Sequence, residues 1–406
     1  MLTAGFIFAC MRYQSYLNSA KKIIDSNRGN VPFSVFLKKY FAANKKYGST
    51  DRKQITMLCY NYYRLGKAMP DASAEEKFFT GTFLCEQRYS EFLQFHKPEW
   101  NKLIGKGLEE KISILGFTVE DVFPLGNALA GGIDLQLFCK SFFYQPDLFL
   151  RIRPGKKDIV TNKLNEAGLK FEMRDKDCIA LANTSKLDAV LELDKEAVVQ
   201  DLNSQKVFNY LKNPVSPSDR AIRAGGIRDT LSVWDCCAAS GGKSILAYDI
   251  LEGKIQLMVS DIRESILTSL KKRFVSAGIK NFIALLTDLS AADCNLPALF
   301  FQLIICDAPC TGSGTWSRTP EQLYFFKEKM INTYAGKQQQ IISTVIPHLQ
   351  TGGIFIYITC SVFKKENEEI VNFIKEKFHL QLVQMEFLKG YDKKADSMFA
   401  AVFIKK

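Results

Sequence analysis

No stretch of eighteen consecutive apolar residues occurs in the chain, so a membrane-spanning helix is not expected. Histidine is scarce: His96, His348 and His379 are the only three, and the eleven cysteines are scattered, with no CxxC pair and no Cys/His cluster. That spacing speaks against a structural zinc site or any other metal site, and the odd cysteine count speaks against a secreted disulfide framework. Free thiols such as Cys59, Cys85, Cys139 and Cys178, mostly acting as small buried hydrophobes, suit a reducing cytoplasm. The apolar opening run Leu2 to Met11 lacks a preceding basic residue, and Phe8 stands where a lipobox-like end at Cys10 would want a small one. It is read as non-targeting, with Met11, which opens the helix-like MRYQSYLNSAKKIID, as an alternative initiator.

The rest is the composition of an ordinary folded chain: 406 residues, 47% hydrophobic and 24% charged, long enough for two or three domains and neither disordered nor fibrous. Lysine and arginine outnumber the acids 54 to 43, a formal charge of +11, which favours polyanionic partners. Nucleic acid is the first expectation and an anionic membrane surface the second.

Residues from about 11 to 140 carry apolar positions at helical spacing, such as Phe33, Phe36, Leu37, Tyr40 and Phe41, without strand-like alternation. Lys38, Lys39, Lys45, Lys46, Arg52, Lys53, Arg64 and Lys67 are interleaved with aromatics there, which reads equally as an RNA-facing surface or as solvated faces around an aromatic core. After Pro146 short runs (LFLRIR, LKFEMR, CIALA) and a helical piece from Asp158 to Ala167 predict a small α+β unit. Asn213 to Arg228 reads as a linker. From Ser232 onward apolar strand runs alternate with helical stretches, which predicts an α/β domain with a doubly wound, mostly parallel sheet, and its ligands at the carboxyl ends of the strands.

The polar residues of that last region follow its strands. The segment Asp235-Cys-Cys-Ala-Ala-Ser-Gly-Gly-Lys-Ser244 joins small residues to Gly241 and Gly242 at a helix start. Two readings stand open. Gly242-Lys243-Ser244 completes most of a phosphate-cradling loop, with Asp307 as the magnesium-holding acid, although Cys237 occupies the first glycine position. Alternatively the loop holds an adenosyl cofactor, and Asp261, some twenty residues on at the end of IQLMVSD, accepts from the ribose hydroxyls. Asp288 follows FIALLT and suits an adenine amine or, equally, a turn or helix cap. Asp307-Ala-Pro-Cys310-Thr-Gly-Ser-Gly314 and Thr359-Cys360-Ser361 end two further strands; the cysteines are inert if taken singly and point to covalent chemistry if they face one cleft.

Residues 198 to 406 resemble the Nol/Nop/Sun family of RNA cytosine-5 methyltransferases. The matching pieces are Val199-Gln200-Asp201, DCCAASGGKS, Asp261, Asp288, DAPCTGSG, PHLQTGGIFIYITCS, Glu366-Asn367-Glu368 and Asp396-Ser-Met-Phe-Ala400. At the front, Asp51-Arg52 with CYNYYR resembles the NusB-like domain of the bacterial Fmu/Sun type, which modifies small-subunit ribosomal RNA, and LFLRIRPGKK resembles its small RNA-binding subdomain. The resemblance implies a NusB-like all-α RNA-binding domain at 1–144, a small α+β (RRM-like) subdomain and linker at 145–228, and a Rossmann-like class I methyltransferase domain at 229–406. It implies S-adenosyl-L-methionine held by Cys237, Ala238, Ala239, Ser240, Gly241, Gly242, Lys243, Asp261, Asp288 and Asp307, with Cys360 as nucleophile and Cys310 and Asp307 assisting. The implied substrate is 16S ribosomal RNA, with transfer RNA as the alternative; a P-loop NTPase and a non-catalytic RNA-binding protein are the competing readings, and a cytoplasmic monomer is the default. Three departures stand out: Ser240 for the usual proline, Ile266 for an arginine after the ribose-binding acid, and Gln302 for an acid before its strand.

Overall fold

The computed structural model describes residues 4–212, 230–292 and 294–406; the expected linker, 213–228, lies outside them. By compactness these residues fall into two units, one of 1–127, 134–145 and 316–327, the other of 128–133, 146–315 and 328–406. Residues 316–327, expected within the C-terminal domain, thus pack with the helical front of the chain.

The helical unit includes Ala4–Ser26, Phe33–Ala43, Ser49–Tyr63 and Ala74–Cys85. Its core is aromatic: Phe33, Tyr63, Phe78 and Phe83 are buried, with Phe33 and Tyr63 edge to face at 5.0 Å, and Tyr324 and Phe325 join them. Local signals set the helix starts, as where Ser73 accepts from the Glu76 N–H while Glu76 reaches back to the Ser73 N–H. Two of the cations read as RNA-facing turn inward. Arg64, 3% exposed, donates to the Phe142, Tyr144 and Ser317 carbonyls and to the Gln145 side chain, and Lys67 donates to the carbonyls of Tyr324 and Phe326. Both hold backbone ends together, because the helix and loop termini around them leave carbonyls without partners of their own.

In the second unit, strands β1 (Leu148–Ile152), β2 (Phe171–Asp175), β3 (Cys178–Leu181) and β4 (Ala197–Val199) form an antiparallel sheet in the order β2-β3-β1-β4, with the helix Lys157–Glu166 packed on it through Val160 and Leu164. Seven more strands follow: β5 (Leu231–Asp235), β6 (Ile255–Asp261), β7 (Phe282–Leu286), β8 (Phe301–Asp307), β9 (Leu349–Thr359), β10 (Gln381–Leu388) and β11 (Met398–Ile404). They form one sheet in the order β10-β11-β9-β8-β5-β6-β7. The five from β5 to β9 are parallel, and β10 and β11 complete the edge antiparallel. Central strands such as β8 and β9 are apolar on both faces because helices cover both, whereas edge strand β7 leaves Ile283 and Leu286 more than half exposed. The order reverses between β5 and β8, and a crevice opens at such a reversal.

Buried ion pairs fasten the small sheet to the large one. Asp249, on the helix Gly242–Ile250, receives Arg151 at 2.5 Å and Arg153 at 2.7 Å, and Arg273 pairs with Asp194 at 2.6 Å. Gln200 accepts from Arg151, and Asp201 accepts from the Asp396 N–H, so two of the separated sequence motifs form one clasp. Among the described residues no helix is long and apolar enough to cross a membrane.

Candidate active site

The carboxyl ends of β5, β6, β8 and β9 bring most of the singled-out residues together. Asp235, last in β5, is fully buried; its Oδ2 accepts from Ser244 Oγ at 2.6 Å, and Oδ1 has no hydrogen-bond partner among the described residues. Burial pushes its carboxyl up to about 7, against the pull of the Ser244 bond. Ser244 is itself fully buried and spends its hydroxyl on Asp235, so it is turned away from the role that a phosphate-cradling loop would give it.

Cys236 to Gly241 form the turn from β5 into the helix Gly242–Ile250. The Ala238 N–H donates to the Ser260 carbonyl, and the Ala239 N–H to Asp261 Oδ2 at 3.1 Å. Gly241 has φ +83°, and a Cβ there would lie 2.6 Å from the Phe274 ring, so only glycine fits this approach. Ser240, the departure from proline, accepts from Arg273 through its carbonyl and its Oγ, so a side-chain anchor stands where a ring would have stiffened the turn. Asp261 is the acceptor at the end of β6. Burial pushes its carboxyl up, but Arg263 and the backbone N–H groups outweigh this and hold it below the ordinary carboxylate range. The guanidinium beside it comes from Arg263, at 2.9 Å, rather than from position 266. Asp288 follows β7 and accepts from the Ser290 N–H and Oγ, the turn-forming arrangement that its type favours.

The helix start aims Lys243 across the β5/β8 gap, where Nζ lies 2.6 Å from Asp307 Oδ2. Burial works against this ammonium, but the Asp307 carboxylate outweighs it and holds Lys243 above its ordinary value. Beyond Asp307 the loop carries Cys310, and its Sγ lies 3.4 Å from Sγ of Cys360, which follows β9. The hydrogen bond with Cys360, together with burial, pushes the Cys310 thiol well above its ordinary value, so Cys310 keeps its proton. Two thiols 50 residues apart in sequence thus face one another beside the Lys243–Asp307 pair.

Glu366 secures that meeting, and the sequence assigned it no task. Fully buried, it accepts from the Thr311 N–H at 2.9 Å, Thr311 Oγ1 at 2.6 Å, Gln338 Nε2 at 3.2 Å and Ser361 Oγ. It therefore ties the residue after Cys310 to the residue after Cys360. Burial pushes its carboxyl up, opposed by these donors. Asn367 adds a second tie by accepting from Thr359 Oγ1 and donating to the Ser361 carbonyl. Gly314 packs between the loops: its N–H donates to the Cys360 carbonyl at 2.8 Å, and a Cβ there would lie 2.2 Å from the Ser397 carbonyl oxygen. Separately, Cys236, Cys237 and Cys306 gather with their sulfurs within 4.8 Å of one another, a cluster that the linear spacing gave no sign of.

Residues 227–402 match the family described as 16S rRNA methyltransferase RsmB/F. The chain is 29% identical over 206 residues to ribosomal RNA small subunit methyltransferase B of Enterobacter sp. (strain 638), covering 49% of this chain and 43% of that protein. It is 28% identical over 233 residues to the protein of the same name from Escherichia coli (strain K12), covering 55% and 49%. The chain spans about half the length of these curated relatives. Among solved structures, the fold is similar to PH0851, with a TM-score of 0.68 at 17% identity over 97% of this chain and 98% of that one. It is also similar to NSun6 from Pyrococcus horikoshii, solved with SFG, with a TM-score of 0.56 at 15% identity over 71% and 96%. By its residues 227–402, the chain is similar to the RsmB/F family of 16S rRNA methyltransferases.

Proposed function

We propose that the protein transfers a methyl group from S-adenosyl-L-methionine to C5 of a cytosine in small-subunit ribosomal RNA, through a covalent bond between Cys360 and C6 of the base. The observation that carries this reading is the 3.4 Å approach of Cys310 and Cys360 at the carboxyl ends of adjacent parallel strands, beside Lys243 and Asp307. The substrate class is supported by the curated relatives, which are named for the small ribosomal subunit. The net charge of +11 suits a polyanion, and action on ribosomal RNA in the cytoplasm by a monomer is part of the same proposal.

The residues present fit the cofactor. The turn from Ala238 to Gly242 carries only small side chains, the helix Gly242–Ile250 presents its N-terminus, and Asp261 offers a carboxylate kept in its charged form. Cys237 to Lys243, Asp261, Asp288 and Asp307 are the residues proposed to hold it. When bound, S-adenosyl-L-methionine supplies an electrophilic methyl on a sulfonium sulfur.

Cytosine C5 is a weak nucleophile until something adds at C6. In the proposed sequence Cys360 gives its proton to solvent and donates an electron pair to C6, and the C5–C6 electrons then reach C5, which takes the methyl as the sulfonium–methyl bond breaks with its electron pair left on sulfur as a thioether. Loss of the C5 proton re-forms the double bond and expels Cys360 as thiolate. Cys310, protonated beside Cys360 in the resting site, gives up that proton to solvent once Cys360 bonds carbon, and its thiolate then takes the C5 proton as Cys360 leaves. Asp307, held by Lys243, is assigned to the N3/N4 edge of the ring, where a carboxyl sharing a proton with N3 stabilises the negative charge that develops on addition at C6. The base must leave its stack to reach these groups, and the helical front and the small sheet are proposed to grip the flanking RNA.

The test is a pair of substitutions. Cys360→Ser is expected to abolish methyl transfer and any adduct, whereas Cys310→Ala accumulates a denaturation-resistant RNA–protein species. Near-normal turnover by Cys360→Ser would overturn the nucleophile assignment. Bisulfite sequencing of RNA with and without the gene identifies the site; an unchanged small-subunit RNA would overturn the substrate.

A further inference from the structure

Three thiols that take no covalent part in the proposed methyl transfer gather at one place. Cys236 and Cys237 leave the end of β5, and Cys306 is the penultimate residue of the neighbouring parallel strand β8, where the Cys236 N–H donates to the Ile305 carbonyl at 2.9 Å. Their sulfurs all lie within 4.8 Å of one another; Cys236 and Cys306 are buried and Cys237 is half-buried, on the rim of the glycine turn. We propose that Cys236, Cys237 and Cys306 form a binding site for one soft, thiophilic metal ion.

Three features converge on that reading. Sulfurs bonded at about 2.3 Å to a common ion sit about 4 Å apart, so the observed cluster needs only small side-chain rotations to close around one. The donor set is sulfur alone, which selects soft ions over magnesium or calcium. The pairing of β5 with β8, with the Cys236 N–H on the Ile305 carbonyl, fixes the two strand ends that carry the thiols, so the cluster is held by the sheet itself. The apolar packing of Trp234, Met258, Ile304 and Tyr357 around the buried pair leaves the Cys237 side as the way in. On binding, each thiol still protonated gives up its proton to solvent as its sulfur takes the metal. Because Cys237 belongs to the turn assigned to the cofactor, a bound ion would also fix that turn.

The experiment uses the full chain carrying Cys310→Ser and Cys360→Ser, so that the other close thiol pair cannot bind, reduced and titrated with cadmium(II). One equivalent is expected to bind with thiolate-to-metal charge-transfer absorption, proton release and an all-sulfur first shell of three by X-ray absorption. Cys237→Ser, half-buried and therefore mild for folding, and Cys306→Ser are each expected to weaken binding at least ~10-fold. Absence of stoichiometric binding by a cooperatively folded protein, or equal binding after Cys237→Ser, would overturn the proposal. The readout is independent of methyl transfer, so its failure and that of the proposed function are separate results.

Discussion

Replacing Glu366 tests whether the two cysteine loops are held by hydrogen-bond geometry. In Glu366→Ala the Thr311 N–H loses its acceptor, while Thr311 Oγ1 and Ser361 Oγ keep only neighbouring hydroxyls to donate to and Gln338 keeps the Pro309 carbonyl. A buried donor left unmet costs about 1–3 kcal/mol, and each lost bond to a carboxylate about 1.5–3 kcal/mol, so a net loss of about 3 kcal/mol is expected after the hydroxyls re-pair. For a unit of this size that is a fall in melting temperature of about 6–12 °C. Activity is expected to drop further, because displacing either thiol by about 1 Å costs about 100-fold in rate. Glu366→Gln behaves differently. Its carbonyl can keep the Thr311 N–H and Gln338, and its amide can donate to the two hydroxyls, which turn to accept. It is expected to stay within about 1 kcal/mol of the parent and to retain most activity. Thermal unfolding and initial methyl-transfer rates of both variants decide the matter. Equal damage from Gln and Ala would refute the geometric argument in favour of charge, and an Ala variant melting with the parent would refute both.

Other consequences are as specific. Gly314→Ala puts a methyl against the Ser397 carbonyl and near that of Cys360, so it is expected to cost about 1–3 kcal/mol and to slow methyl transfer, read by urea unfolding and by rate; parental values for both would refute the close packing. Asp249→Ala strands the buried Arg151 guanidinium with Arg153 beside it and is expected to cost about 3–5 kcal/mol in urea unfolding, and a loss under about 1 kcal/mol would refute the fastening role. Asp235 titrates at about 7 when folded and near its ordinary value when unfolded, so the folded chain holds a proton that the unfolded chain has released. Stability from this group is therefore full at low pH and falls as pH rises through 7, by about 2–3 kcal/mol between pH 5 and 8. Asp235→Asn is expected to lack that slope, and parallel pH profiles of urea midpoints would show the reasoning wrong.

Much of the second unit was legible in the sequence because its apolar runs end on charged or turn-forming residues. The limits of β6, the helix Glu264–Ala277, β7 and β8 follow directly from IQLMVSD, ESILTSLKKRFVSA, FIALL and FQLIICD. The rule that polar residues after parallel strands share a crevice likewise anticipates the convergence of Cys310 with Cys360, whereas the Lys243–Asp307 contact was not read from the sequence. Other features depend on pairing that no local pattern encodes. Cys306 meets Cys236 only because β8 lies beside β5, and Glu366 reaches Thr311 only because two loops fold over one helix. Arg64 and Lys67 sit among aromatics at the same spacing as their solvent-facing neighbours, and only the carbonyls that they meet distinguish them. The guanidinium at Asp261 is displaced along the chain to Arg263, a substitution by position that spacing alone did not reveal.

The passage of Trp316 to Lys327 through the helical unit has a practical corollary for anyone dissecting the protein. Tyr324 meets Tyr63 edge to face and Tyr62 at a tilt, Phe325 packs tilted against Tyr63, and Glu321 accepts from the Phe33 N–H. A fragment beginning near Pro146 would carry this strip of aromatic residues without the helices that cover it, and would precipitate for reasons unrelated to the integrity of its large sheet. The front of the chain is not a removable cap, and co-expression of the two pieces, rather than truncation, is the way to separate their roles.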